Sequence, residues 1–162
     1  MITSESKLPS DKQSLLSATN YEVYNRDLMR KVFPRIIRDF KETDGKKGRK
    51  IGDIIPFYYA LLSYIDGNEY RADGTRNARY GACFLSREAI AEHTGIDDKR
   101  QPYLCAVLEY NGLIRTQTHY EGTKRYKWYF PSFCPRISDD GYVVNEDGER
   151  IIPDYSRLPN VR

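Results

Sequence analysis

Nine side chains between Arg87 and Lys127 have the types and spacing to grip a polyanion. They are Arg87, Lys99, Arg100, Gln101 and Tyr103, followed by Arg115, Lys124, Arg125 and Lys127. Lysine and arginine meet phosphate oxygens, and arginine and glutamine can also read base edges in a major groove. A denser basic run stands earlier, KKGRK, in which Lys46, Lys47, Arg49 and Lys50 are candidate phosphate contacts. Its competing reading is a solvated connector. Catalytic chemistry finds no comparable constellation. There is no Gly-rich phosphate loop, no His-Glu metal motif and no nucleophile elbow, so no enzyme and no cofactor are expected. His93, His119 and the three cysteines, Cys83, Cys105 and Cys134, lack metal-ligand spacing.

The elements that must position these groups run from Phe84 to Phe130. Ser86 is a helix N-cap, Leu85 and Ile90 have the spacing of a hydrophobic staple, and Gly95 ends the helix. A second helix lies between Asp97 and Asn111. Its buried stripe is Gln101, Leu104, Cys105 and Leu108, at i, i+3, i+4, i+7, with Lys99 and Tyr103 opposite and Arg100 flanking them. Pro102 requires either a start near Gln101 or a distorted first turn. Asp97 and Asp98 repel phosphate unless they cap the helix start. A β-hairpin follows. Ile114 to Tyr120 alternates, with Arg115, Gln117 and His119 on one face, Glu121-Gly122-Thr123 turns, and Lys124 to Phe130 returns. The aromatics Tyr126, Trp128 and Phe130 share a face and are expected to pack on the helices.

The run from Gly95 through Leu108-Glu109 to Asn111-Gly112-Leu113-Ile114 resembles the bacterial winged helix-turn-helix pattern. The longer arrangement is a helix PFYYALLSYID, a polar insertion, CFLSREAIAEHTGI, then recognition helix and wing. It is similar to the N-terminal DNA-binding domains of plasmid and phage replication initiators, the RepA-N and DnaD-like groups. The resemblance covers roughly residues 51 to 133 and is shared locally with transcription regulators. It implies double-stranded DNA as partner, with Lys99, Arg100 and Tyr103 at base edges and nearby phosphates, and Lys124, Arg125 and Lys127 steadying the wing.

The rest of the chain is read as frame and appendage. Net charge is +5 over residues 1–50, 0 over 51–130 and −2 over 131–162. Residues 1–20 are polar and are expected to form a mobile arm. Over 21–50 come an amphipathic helix and the basic loop. The helix carries Leu28, Met29, Val32, Phe33, Ile36, Ile37 and Phe40, and is broken or started at Pro34. It has two readings, a cover for the core or a surface for a second copy. Helix PFYYALLSYID has Phe57, Tyr58, Leu61, Leu62 and Ile65 inward and Gly67 at its end. Residues 66–82 read as a flexible insertion before a short strand Ala82-Cys83-Phe84, with backbone phosphate contact by Arg71, Arg76 and Arg79 as the competing reading. The tail, 134–162, holds a hairpin, Tyr142–Val144 with Glu149–Ile152 around Asp147-Gly148. A lone hairpin is marginal in water, so it must dock on the core, a second subunit or a partner.

The expectation is therefore an α+β chain, a winged helix-turn-helix with an N-terminal amphipathic helix and a C-terminal β-hairpin. Its expected function is sequence-specific duplex DNA binding, as a homodimer, in replication or transcription control of a plasmid, phage or mobile element. The alternative is a protein-interaction module on the same frame, binding a host or phage protein. No run approaches the roughly 20 apolar residues of a membrane helix. The polar start and odd cysteine count suit a reducing bacterial cytoplasm.

Overall fold

The computed structural model describes residues 24–41 and 48–159, without the side chains of 48 and 49. The arm expected over 1–20, Lys46, Lys47 and the Arg49 side chain lie outside the described residues. A π-helical turn, Leu28–Val32, runs into helix α1, Phe33–Lys41. A 3-10 turn, Gly48–Asp53, leads into α2, Ile54–Ser63. Helices α3, Arg87–Thr94, and α4, Gln101–Tyr110, precede the strands β1, Ile114–Glu121, and β2, Lys124–Pro131. Two short strands, β3 (Arg136–Ile137) and β4 (Val143–Val144), follow. The architecture is α+β, with small antiparallel two-stranded sheets. Among the described residues no helix is long and apolar enough to cross a membrane.

Of the two readings at Pro34, a break or a start, the α-helix takes the second and begins at Phe33, with no break in the chain's helical path. Proline lacks an N–H, and its ring crowds the carbonyl four residues back. The preceding turn widens instead, with the Phe33 N–H bonded to the Leu28 carbonyl, so the helix runs on to Lys41. Leu28, Val32, Phe33, Ile36 and Phe40 are buried, which makes α1 a cover for the chain's own core. That core continues through Phe57, Tyr58 and Leu61 of α2, Ile90 of α3, and Leu104, Cys105 and Leu108 of α4. Helix α2 ends at Ser63, short of Gly67. Ile65 is drawn into a bridge with Cys83, and the Asp66 N–H bonds to the Ala82 carbonyl at 3.0 Å.

Local signals place α3 and α4. The Ser86 hydroxyl accepts from the Ala89 N–H at 3.1 Å, and Gly95 caps the C-terminus. Helix α4 begins at Gln101 with Pro102 in its first turn, where a missing N–H is harmless. It ends in a Schellman motif: Gly112 N–H bonds to the Glu109 carbonyl at 3.0 Å and Leu113 N–H to the Leu108 carbonyl at 2.9 Å. Gly112 sits at φ +75°, which glycine adopts without strain, and this turn aims β1 back along the helices.

The hairpin register pairs Arg115 with Phe130, Gln117 with Trp128 and His119 with Tyr126, across a two-residue turn at Gly122-Thr123. Cys83 adds a third edge, exchanging backbone bonds of 2.7 and 3.0 Å with Tyr129. The expected orientation of the aromatics is reversed. Tyr129 faces the helices, 6.3 Å edge-on from Phe57, so its neighbours Trp128 and Phe130 point away from them. The insertion is tied down rather than loose. The Asn77 amide donates to Asp66 and to the Asn68 carbonyl, and Tyr70 bridges Arg76.

The tail docks on its own chain. β3 pairs with β4, and the turn expected at Asp147-Gly148 carries Ile151 back to bond the Val143 carbonyl at 2.8 Å. Arg35 of α1 is buried at 4% exposure and gathers this segment in. Its guanidinium donates to the Gly141 carbonyl (3.1 Å), Asp39 (2.7 Å) and Asn111 Oδ1 (2.8 Å), and lies 4.1 Å over the Tyr142 ring. The Tyr155 hydroxyl donates to Asp39 at 2.8 Å. At Gly141 a Cβ would lie 2.5 Å from the Lys31 carbonyl oxygen, so only glycine allows this approach.

Burial in this core has a pH consequence. Desolvation pushes the Cys105 thiol up to about 11 from an ordinary 9, despite Lys127 nearby, and also raises the Tyr129 and Tyr155 hydroxyls. The folded state holds these protons longer than the unfolded chain, so the stability from Cys105 is complete below pH 9. It is lost as pH rises from about 9 to 11, at up to roughly 1.4 kcal/mol per unit. Urea midpoints measured across that interval should fall steeply, and less steeply in Cys105→Ala. A flat profile would place Cys105 outside the core.

Candidate nucleic-acid interface

Helix α4 carries no lysine or arginine, so any cationic surface around it comes from neighbouring elements. Helix α3 supplies Arg87 in its first turn, exposed beside the Ser86 cap. The hairpin supplies Arg125 and Lys127 from the strand face that also carries Tyr129. These three side chains line one cleft of about 550 Å³ between the start of α3 and β2, with Phe84 and Trp128 along its wall. Lys127 reaches inward along it, its Nζ 3.5 Å from the Cys105 sulfur. None of the three is ion-paired among the described residues.

Lys99 is exposed in the turn that precedes α4. Asp97 shapes this turn. Its side chain accepts the Lys99 N–H at 3.1 Å and its carbonyl the Arg100 N–H at 3.0 Å. The bond from Lys99 holds the Asp97 carboxyl below the usual range, so it stays ionised while its charge is turned to backbone donors.

Three of the expected contacts are turned elsewhere. Gln101 is 1% exposed, and its amide donates to the Arg87 carbonyl at 2.9 Å and the Ile96 carbonyl at 3.2 Å. It fixes α3 against the start of α4 and has no donor left for a base. Tyr103 is half-buried with its ring 6.3 Å edge-on from Phe40, because α1 occupies the side of α4 that looked open. Arg100 points to α2, pairing with Asp53 at 2.6 Å and bonding the Lys50 carbonyl at 3.1 Å. Arg115 and Lys124 stand on the opposite hairpin face from Arg125 and Lys127, with Arg115 4.1 Å over the Phe130 ring.

The stripe of α4 that neither the core nor α1 covers is Pro102, Ala106 and Glu109, all half-buried. Glu109 accepts a hydrogen bond from the Thr116 hydroxyl, which docks the hairpin beside this stripe. These residues were missed by looking for charge. Their signal was the i, i+4, i+7 set left after Gln101, Leu104, Cys105 and Leu108 are taken as buried. The result is a half-buried stripe of two small residues, Pro102 and Ala106, ending in the Glu109 carboxylate, with Lys99 exposed in the turn before the helix. Compact side chains admit the close approach of a backbone or groove floor, while the flanking cations suit phosphates. No family model, curated protein or solved structure matches the chain.

Proposed function

We propose that this chain is a winged helix-turn-helix protein that binds double-stranded DNA, in replication or transcription control of a plasmid, phage or other mobile element. Helix α3, the turn at Ile96–Arg100 and α4 form the helix-turn-helix, and β1–β2 the wing. The observation that carries the reading is that Arg87, Arg125 and Lys127 line one cleft between α3 and β2 and Lys99 is exposed in the turn before α4, none of the four ion-paired among the described residues. With Pro102 and Ala106 on that stripe, affinity comes mainly from phosphate contacts. Sequence selection falls to Lys99 and the exposed Thr118 of the wing. A homodimer would use a face other than the apolar stripe of α1, which the chain's own core already covers.

One observation favours a second reading, a protein-binding module on the same frame: the stripe of α4 ends in Glu109 and includes no cation. A gel-shift titration of random-sequence duplex at two salt concentrations separates the two. Duplex binding that weakens with salt, with a slope of roughly −0.9 per phosphate contact, supports the DNA reading. Absence of binding at low salt overturns it and favours the protein-binding module.

A further inference from the structure

The outer face of the hairpin, turned away from α3 and α4, is built from rings and arginines. Phe84 (42% exposed), Tyr126 (41%) and Tyr80 (40%) stand open here, although burial is the usual place for such rings. Trp128 has His119 stacked on it at 3.5 Å between centroids and Phe84 edge-on at 5.0 Å, and Phe130 follows it on the same strand face. Arg79 lies over both Phe84 and Trp128, at 5.5 and 5.9 Å. Beside this cluster, the 76–80 segment and the hairpin enclose a shallow cavity of about 410 Å³. Its walls include Tyr80, Phe130, Arg76, Arg115 and the exposed amide of Gln117. Neither Arg76 nor Arg115 is ion-paired among the described residues. Arg76, Arg79, Arg115 and Lys124 face outward against one carboxylate of the same strand face, Glu121.

We propose that this outer face binds unpaired nucleotides of a single-stranded nucleic acid. The chemistry selects that occupant over a plain polyanion. A base stacks on an aromatic ring or on a guanidinium plane, and Arg115 over Phe130 offers the second. The exposed Gln117 amide has no hydrogen-bond partner among the described residues and can pair with a base edge, whereas the Asn77 amide is committed to Asp66 and Asn68. Arg76 and Arg79 lie where flanking phosphates run. A duplex hides its base faces in its own stack and cannot use exposed rings in this way. Phe84, Tyr126 and Trp128 also border the cleft of Arg87, Arg125 and Lys127, whereas the cavity of Arg76, Tyr80, Arg115, Gln117 and Phe130 shares no residue with it, and the proposal does not rest on the duplex-binding reading.

Trp128 is the only tryptophan in the chain and lies at the centre of the face, so its fluorescence reports occupancy. The full-length protein is titrated with oligo(dT) and with oligo(U) of roughly 15 nucleotides, each long enough to cross the face. Saturable quenching is expected with at least one, and the stronger of the two identifies DNA or RNA as the ligand. Tyr80→Ala should weaken binding about 5- to 100-fold, as expected for loss of one stacking ring, and Arg115→Ala should weaken it as well. Both variants are expected to stay folded, with a cooperative thermal transition, since each loses one surface ring contact, Tyr80 on Phe133 and Arg115 on Phe130. Arg87→Ala, which removes a side chain of the cleft and none of the cavity at Tyr80 and Arg115, should leave oligonucleotide binding unchanged. No quenching by either oligonucleotide overturns the proposal. So does equal quenching by heparin, a polyanion without bases, or loss of binding in Arg87→Ala alone.

Discussion

Replacing Arg35 with methionine is expected to lower the unfolding free energy by about 3–5 kcal/mol, the usual cost of removing one member of a buried charge network. The guanidinium joins α1, the end of α4 and the tail through Asp39, Asn111 and Gly141. Methionine matches the stem but donates nothing. It leaves the fully buried Asn111 oxygen and the Gly141 carbonyl without this partner, and each such group adds a desolvation cost. For a chain of this size the loss is a large fraction of total stability. Tyr155→Phe should cost less, about 1 kcal/mol, because it removes a hydroxyl and keeps the ring against Phe40 at 4.6 Å. Urea unfolding read at one midpoint measures both. A loss below about 1 kcal/mol in Arg35→Met would mean that the tail is not held through this residue in solution.

The triple change Arg87→Ala, Lys99→Ala, Arg125→Ala is expected to weaken duplex binding by roughly 100-fold or more near 0.1 M salt. The same change should flatten the salt slope by about 2.7, since each phosphate contact contributes about 0.9. All three side chains are exposed and form no salt bridge among the described residues, so thermal stability should stay within about 0.5 kcal/mol of wild type. Stability kept while affinity and slope fall together is the signature of a surface that only meets phosphate. An unchanged slope would remove these residues from the interface. Arg100→Ala should behave differently, loosening the turn at Lys50 and Asp53 with a modest effect on stability and none on the slope.

Local signals were legible wherever a bond closes within a few residues. Ser86, Gly95 and Gly112 mark helix ends through hydrogen bonds that reach only three to five positions. Pro102 constrained the start of α4 to the place where its missing N–H is harmless. Pro34 marked the start of the α-helix, whereas the π turn that precedes it leaves no mark in residue type. The hairpin was legible as strands and turn, yet its faces were assigned the wrong way round. Alternating aromatics normally mark the inner face, but here the space against Phe57 goes to Tyr129.

The sequence alone determined the order of helices and strands, their caps and the position of each cation along the chain, because these follow from periodicity and short-range hydrogen bonding. Tertiary structure decided which cations remain free. Arg35 meets Gly141 across 106 positions and Arg100 meets Asp53 across 47, and such partners are chosen by packing, which no local pattern encodes. The same long-range packing set Tyr103 against Phe40 and left Arg87, Lys99, Arg125 and Lys127 without ion-pair partners among the described residues.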